Sequence, residues 1–322
     1  MAALSIAGSE AFPPSARIGG VLAATLTPVG TALGPDLERV VEHCARLLRD
    51  GCDGINLLGT TGEAVSFSVG QRLAVMRAIA GSGLPLERFM VGTGASALAD
   101  AVELTAAAAE LGFAGALVLP PFYYKNVGDD GLFAHFATLI ERVARPSLKL
   151  YLYHFPALSG VPFTPAVIAR LVDAYPETIA GLKDSSGDMA YADAVVAAFP
   201  GLDVFPSTEA ILLDARRRGF AGCISATVNV TGRLAGMVWR ANGSPDAAAD
   251  QTALTALRTT IAKRPLVPAI RHTAARLFAD AALARMLPPL TPLGADDARA
   301  LDAELDAQPA FRALTLAAGS NA

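Results

Sequence analysis

Short runs of consecutive apolar residues recur along the chain up to about residue 240, each followed by a longer, alanine-rich stretch with helical spacing. The runs at 20–26, 54–58, 88–92, 115–119, 148–153, 179–183, 203–206 and 222–225 are apolar throughout rather than alternating, which predicts strands buried on both faces. Helical spacing follows each of them, at 37–49, 69–80, 97–111, 131–144, 165–174, 189–199, 209–218 and 231–241. Eight strand-then-helix units predict an α/β fold, a closed (β/α)8 TIM barrel, with a doubly wound open sheet as the alternative. Past Asn242 the strand signal stops. The stretches 246–262, 267–283 and 296–306 read as three helices, broken by Arg264-Pro265 and by the prolines from Pro288 to Pro292. The expected organisation is a barrel domain over 19–242 and a C-terminal helical region over 243–322, with loose ends at residues 1–18 and in the last few positions.

Composition narrows the function classes. The chain has 322 residues, 52% of them hydrophobic and 17% charged, with 26 Lys+Arg against 30 Asp+Glu. The resulting formal charge of −4 provides no footprint for nucleic acid or an anionic membrane, and no apolar run approaches the ~18–20 residues of a spanning helix. Three separated cysteines, Cys44, Cys52 and Cys223, read as reduced thiols, and the first 18 residues lack a basic start followed by an apolar core. A cytoplasmic protein is expected.

Lysine occurs only four times, at Lys125, Lys149, Lys183 and Lys263; the other 22 basic residues are arginine. Lys183 ends the sixth strand, where two-residue periodicity puts it on one face with Ile179 and Gly181. The C-terminal ends of barrel strands carry the active site, and an amine shielded from water there is more readily neutral and nucleophilic toward a carbonyl. Lys149 starts its strand and belongs to the opposite end of the barrel. Tyr153 ends the neighbouring fifth strand on the same face as Tyr151, placed to exchange protons with groups on Lys183, or simply to plug the barrel.

Gly59-Thr60-Thr61-Gly62-Glu63 follows the second strand and offers backbone N–H groups and two hydroxyls to a carboxylate or phosphate. No Gly-Lys-Ser/Thr follows, so it is no nucleotide P-loop. The fourth strand runs into Pro120-Pro121-Phe122-Tyr123-Tyr124-Lys125, an aromatic loop suited to a subunit contact, to completing a neighbour's site, or to both. Gly92-Thr93-Gly94 lacks the acidic residue of a dinucleotide fold, and the four histidines lack zinc spacing.

Together, Gly59-Thr60-Thr61-Gly62-Glu63, Tyr123-Tyr124, Tyr153-His154-Phe155-Pro156 and Gly181-Leu182-Lys183-Asp184 resemble the dihydrodipicolinate synthase/N-acetylneuraminate lyase superfamily. The resemblance runs from about Ile18 into the C-terminal helices. It implies a homotetrameric, dimer-of-dimers class I aldolase that uses pyruvate or another 2-oxo acid with an aldehyde, and needs no cofactor beyond a covalent imine. By that resemblance Lys183 forms the imine, Tyr153 relays protons, and Thr60 and Thr61, with Gly62, hold the carboxylate. Tyr124, or alternatively Tyr123, is lent by the neighbouring subunit and joins Thr61 and Tyr153 in the relay.

Where lysine-pathway synthases carry an arginine, this sequence has Leu158, which cannot pair with a carboxylate. Pro156-Ala157-Leu158-Ser159-Gly160 resembles the sialic-acid lyases, yet Ala226 stands where a pocket serine is expected, and Ser207-Thr208-Glu209 holds a single acid. Ser185, Asp188, Ser207, Thr208 and Glu209 are the expected partners of a hydroxylated substrate chain. The expected activity is a lyase acting on a 2-oxo-3-deoxy sugar acid or a sialate-like acid. The alternatives are dihydrodipicolinate synthase-type condensation, a sugar-acid dehydratase using the same imine, and a non-catalytic binding relative.

Overall fold

Fully buried apolar runs place each strand, and a computed structural model describing residues 17–241 and 247–319 arranges them in one parallel sheet. The strands are β1 Gly20–Ala24, β2 Gly54–Leu57, β3 Phe89–Gly92, β4 Gly115–Val118, β5 Leu150–His154, β6 Ile179–Asp184, β7 Asp203–Pro206 and β8 Gly222–Ser225. Their order is β7-β6-β5-β4-β3-β2-β1-β8, and the Ala221 N–H donates to the Val204 carbonyl at 3.0 Å across the remaining seam. The result is a (β/α)8 barrel, not an open sheet.

Helices α1 Leu37–Arg49, α2 Val69–Ala80, α3 Leu98–Leu111, α4 Asp129–Val143, α5 Pro156–Ser159, α6 Pro165–Ala174, α7 Met189–Ala198, α8 Leu212–Ala215 and α9 Val228–Arg240 follow the strands. Local signals start several of them. Asp36 caps α1, Ser68 and Gln71 form a reciprocal capping box on α2, and Thr164 with Pro165 opens α6. Two expectations need correction here. The single helix expected over 209–218 is a 3-10 turn, Glu209–Ile211, followed by the one-turn α8. The four-residue α5 was not anticipated at all.

The C-terminal helices are α10 Ala247–Ala262, α11 Leu266–Leu277, α12 Ala295–Asp306 and α13 Pro309–Gly319. The expected helix over 267–283 stops at Leu277, where Phe278 closes it and a separate 3-10 turn follows at Ala281–Ala284. Helix α13 lies beyond the last expected helix and was not anticipated; its Phe311 and Leu314 bury themselves in a core shared with α10, α11 and α12. That core also contains Val21, Leu47 and Val238, so the C-terminal helices and the barrel are built on one apolar mass. The expected boundary at 242/243, the helix start at residue 246 and the readings of residues 1–16 and 320–322 lie outside the described residues. Among the described residues, no helix is long and apolar enough to cross a membrane.

The barrel interior is filled by Leu22, Met90, Leu117, Tyr151, Phe205 and Ile224. Tyr151 is the bulkiest of them, and two glycines make room for it: a Cβ on Gly115 or on Gly181 would approach its ring to 2.7 Å. The space that Gly181 leaves beneath Lys183 is therefore occupied by the Tyr151 ring. One register detail departs from strict alternation. Leu150 pairs with Ile179 but Tyr151 with Gly181, so Ala180 is an extra residue in β6. Ile179 consequently packs in the outer core with Leu182, not on the face of Lys183.

Two buried histidines tie helices and strands together. His43 Nε2 is 3.0 Å from Asn229 Oδ1, and Asn229 Nδ2 donates to the Ala24 carbonyl at 2.8 Å, joining α1, α9 and β1. His154 Nδ1 accepts from the Phe163 N–H at 3.1 Å while its ring stacks on Tyr191 at 4.2 Å. Burial pushes both imidazoles down to about 4. An unfolded histidine takes up its proton near ~6.5, so the stability is fully present above that pH and is lost as pH falls toward 4. His43, the more deeply enclosed of the two, should cost about 2 kcal/mol by pH 5. Asp53, Asp184 and Asp203, raised by burial, act in the opposite sense. The difference between the parent chain and His43→Gln, read from urea midpoints at pH 7 and pH 5, isolates the histidine part. A pH sensitivity identical in the two chains would contradict the assignment.

Candidate active site

Parallel pairing sets Tyr153 directly beside Lys183 at the C-terminal ends of β5 and β6. The Lys183 side chain is buried, 3% exposed, with Nζ 4.4 Å from the centre of the Tyr153 ring. The Tyr153 hydroxyl lies 3.2 Å from Thr60 Oγ1. Lys183, Tyr153, Thr60, Thr61, Ser185 and Ser207 all line one cavity of about 730 Å3. Backbone bonds hold its rim: the Ser185 N–H donates to the His154 carbonyl and the Ser207 N–H to the Asp184 carbonyl, both at 2.8 Å.

The other lysines are engaged elsewhere. Lys149 Nζ donates to the Glu177 carbonyl at 2.6 Å below the barrel, Lys263 pairs with Glu304 at 2.8 Å, and Lys125 Nζ donates to the Ser159 carbonyl at 2.9 Å and to that of Phe122.

The loop after β2 is fixed from behind. Gly62 does not reach the cavity; a Cβ there would lie 2.9 Å from Thr27 Oγ1 and 3.0 Å from the Thr25 carbonyl, so only glycine lets the loop back onto the end of β1. Glu63 adopts a left-handed backbone (φ 55°), which costs a non-glycine residue about 1–2 kcal/mol. Its buried carboxylate compensates by pairing with the fully buried Arg271 of α11 and accepting from the Leu287 N–H at 2.7 Å. Arg271 also donates to the Thr27 carbonyl at 2.8 Å and to that of Leu283 at 3.1 Å. Neighbouring hydroxyls thus stand on a loop bolted to the C-terminal helices.

Several expected substrate contacts are occupied otherwise. Glu209 is fully buried, and its oxygens accept from the hydroxyls of Ser225 and Thr227, both at 2.5 Å, from Thr231 at 3.1 Å and from Arg258 Nη1 at 2.9 Å. Asp188 and Thr208 cap the N-termini of α7 and the 3-10 turn at Glu209. The Tyr153 hydroxyl meets Thr60, not Thr61, the threonine expected in the relay. Tyr124 and Tyr123 are each 74% exposed, packed edge-to-face at 5.3 Å, and neither lines the cavity. Arg258, on α10, does line it and was missed; a single arginine inside a helical pattern carries no signal that distinguishes it from a surface residue.

The family model of the dihydrodipicolinate synthetase family matches residues 17–308. The chain belongs to this family. A DapA-like lyase of Chloroflexus aurantiacus, itself uncharacterized, is 33% identical to this family member over 286 residues, 88% of this chain and 95% of that one. A 4-hydroxy-tetrahydrodipicolinate synthase of a Synechococcus species is 33% identical over 66% of this chain and 70% of its own. Among solved structures, dihydrodipicolinate synthase from Agrobacterium tumefaciens superposes with a TM-score of 0.82 at 28% identity, covering 90% of this chain and 99% of that one. This member of the dihydrodipicolinate synthetase family is accordingly a lyase of the wider superfamily.

Proposed function

We propose that the chain is a Schiff-base-forming lyase that joins or separates a 2-oxo acid, pyruvate in the simplest case, and an aldehyde, and that its substrate is a 2-oxo-3-deoxy sugar acid or a sialate-like acid. The observation that carries this reading is the buried amine of Lys183 beside the Tyr153 ring, in a cavity lined by the Thr60 and Thr61 hydroxyls. In the cleavage direction Lys183 Nζ attacks the C2 carbonyl, and water leaves to give a protonated imine. The C4 hydroxyl gives up its proton, the C3–C4 bond breaks, and the electron pair moves into the iminium, leaving an enamine and a free aldehyde. Protonation at C3 and hydrolysis return pyruvate and the free lysine. Tyr153, with the Thr60 hydroxyl beside it, moves these protons, and the loop at Thr60-Thr61 holds the carboxylate. No metal or organic cofactor takes part in this scheme.

Incubation with a panel of 2-oxo-3-deoxy acids tests the reaction class. Pyruvate plus one equivalent of aldehyde is the expected result. A dehydrated keto acid in place of pyruvate would make the enzyme a dehydratase, and condensation of pyruvate with aspartate semialdehyde would make it a dihydrodipicolinate synthase despite Leu158, which lines the cavity.

The exposed pair Tyr123-Tyr124 supports a second part of the reading, that the chain assembles as a homotetramer in which Tyr124 completes a neighbour's proton relay. Tyr124→Phe should then lower kcat by about 100-fold or more, the size expected for a lost proton-transfer group, with an unchanged melting temperature. An unchanged kcat would remove Tyr124 from the site.

A further inference from the structure

We propose that Arg258 is the docking point for a second oxyanion, so that the preferred substrates are 2-oxo acids whose far end carries a carboxylate or a phosphate ester. The proposal rests on the imine reading only for which end of the substrate lies at Lys183.

Arg258 reaches the cavity from α10, with its side chain 20% exposed. It is held by one corner. Nη1 donates to Glu209 Oε2, Ser225 Oγ and Thr227 Oγ1, each at 2.9 Å. The two hydroxyls give their own protons to Glu209, so their lone pairs are left to accept from the guanidinium. The buried cluster is therefore held by its own hydroxyls and by Nη1, with no call on the rest of the guanidinium. Nε and Nη2 make no hydrogen bond among the described residues. These two nitrogens carry parallel N–H groups along one edge of the guanidinium, the edge that grips a carboxylate or phosphate with two bonds.

Carboxylates nearby do not compete for that edge. Glu63 is committed to Arg271, and Asp297, at the rim, lies 4.0 Å from Arg264 Nε. Glu209 is fully buried behind Arg258 and does not line the cavity. Its position makes it a positioning residue: it fixes the arginine rather than touching substrate. The same cavity has Leu158 where an arginine is absent from the strand-five loop, and Arg258 enters from the C-terminal helices instead.

Equilibrium binding tests this without requiring turnover. Lys183→Ala, which forms no imine, is titrated calorimetrically with 2-oxoglutarate and 2-oxoadipate, each against the neutral-ended 2-oxo acid of equal length. A second pair, a 2-oxo-3-deoxy-6-phosphosugar acid and its unphosphorylated form, separates a phosphate from a carboxylate preference. At least one anionic compound should bind 10-fold or more tightly than its neutral counterpart. Arg258→Lys, added to the same chain, keeps a cation for Glu209 but lacks the two-pronged edge, and should reduce that ratio below about 3-fold. Equal binding within every pair, binding of none of these acids, or a ratio that survives both Arg258→Lys and Arg258→Gln would overturn the proposal. In the chain with native Lys183, borohydride trapping of pyruvate tests the imine independently of Arg258. Failure of trapping in the parent chain would count against the imine and leave the binding ratios to judge Arg258 separately.

Discussion

Lys183→Ala should abolish turnover, with a loss in kcat of at least about 10^4-fold, while the protein stays folded. In the proposed reaction the imine is the electron sink, and among the described residues no other amine lines the cavity to replace it. Lys149 lies below the barrel, Lys125 is tied to the Ser159 carbonyl and Lys263 to Glu304. Folding should survive because Lys183 makes no ion pair or hydrogen bond among the described residues, and its main contact is with the face of Tyr153. Residual activity above one part in a hundred, in a protein of unchanged melting temperature, would show that the reaction does not pass through this amine.

Arg271→Met should cost about 3–5 kcal/mol of stability, the usual result of leaving a buried charge without its partner. The structure gives three reasons to expect the upper half of that range. Arg271 is fully buried, Glu63 is 3% exposed, and Arg271 also satisfies the carbonyls of Thr27 and Leu283. The Glu63 backbone, held in a left-handed conformation partly by this pair, should relax with it and disturb the Thr60-Thr61 hydroxyls. KM for the 2-oxo acid should therefore rise along with the fall in stability. Chemical denaturation measures the first effect, and steady-state kinetics well below the melting temperature the second. Glu63→Gln combined with Arg271→Met should recover part of the loss, because the stranded charge is gone. A cost below 1 kcal/mol for the single variant would contradict the account of the pair.

The barrel was legible because each strand is buried on both faces and so reads as an unbroken apolar run such as Gly115–Val118. Lys183 and Tyr153 were legible because a strand end fixes both the height and the direction of a side chain. What escaped depended on partners distant in sequence. Glu209 reads as a pocket acid beside Ser207, but its partner Arg258 lies 49 residues further on, and the pair buries the carboxylate behind the wall of the cavity. The extra residue at Ala180 follows from pairing with β5 and has no signature in the order of residues. Helix α13 was not anticipated because Phe311 and Leu314 acquire meaning only against α10, α11 and α12. The placement of side chains at strand ends was thus visible in the chain, whereas the contribution of the C-terminal helices to the cavity was not.

The central claim is that a 2-oxo acid becomes covalently attached to Lys183. Incubation with pyruvate and sodium borohydride, followed by mass spectrometry of the intact chain and its peptides, tests it directly. The account predicts one reduced pyruvate adduct per chain, located on Lys183 and absent from Lys183→Ala. An unmodified chain, or a label on any other lysine, would contradict it.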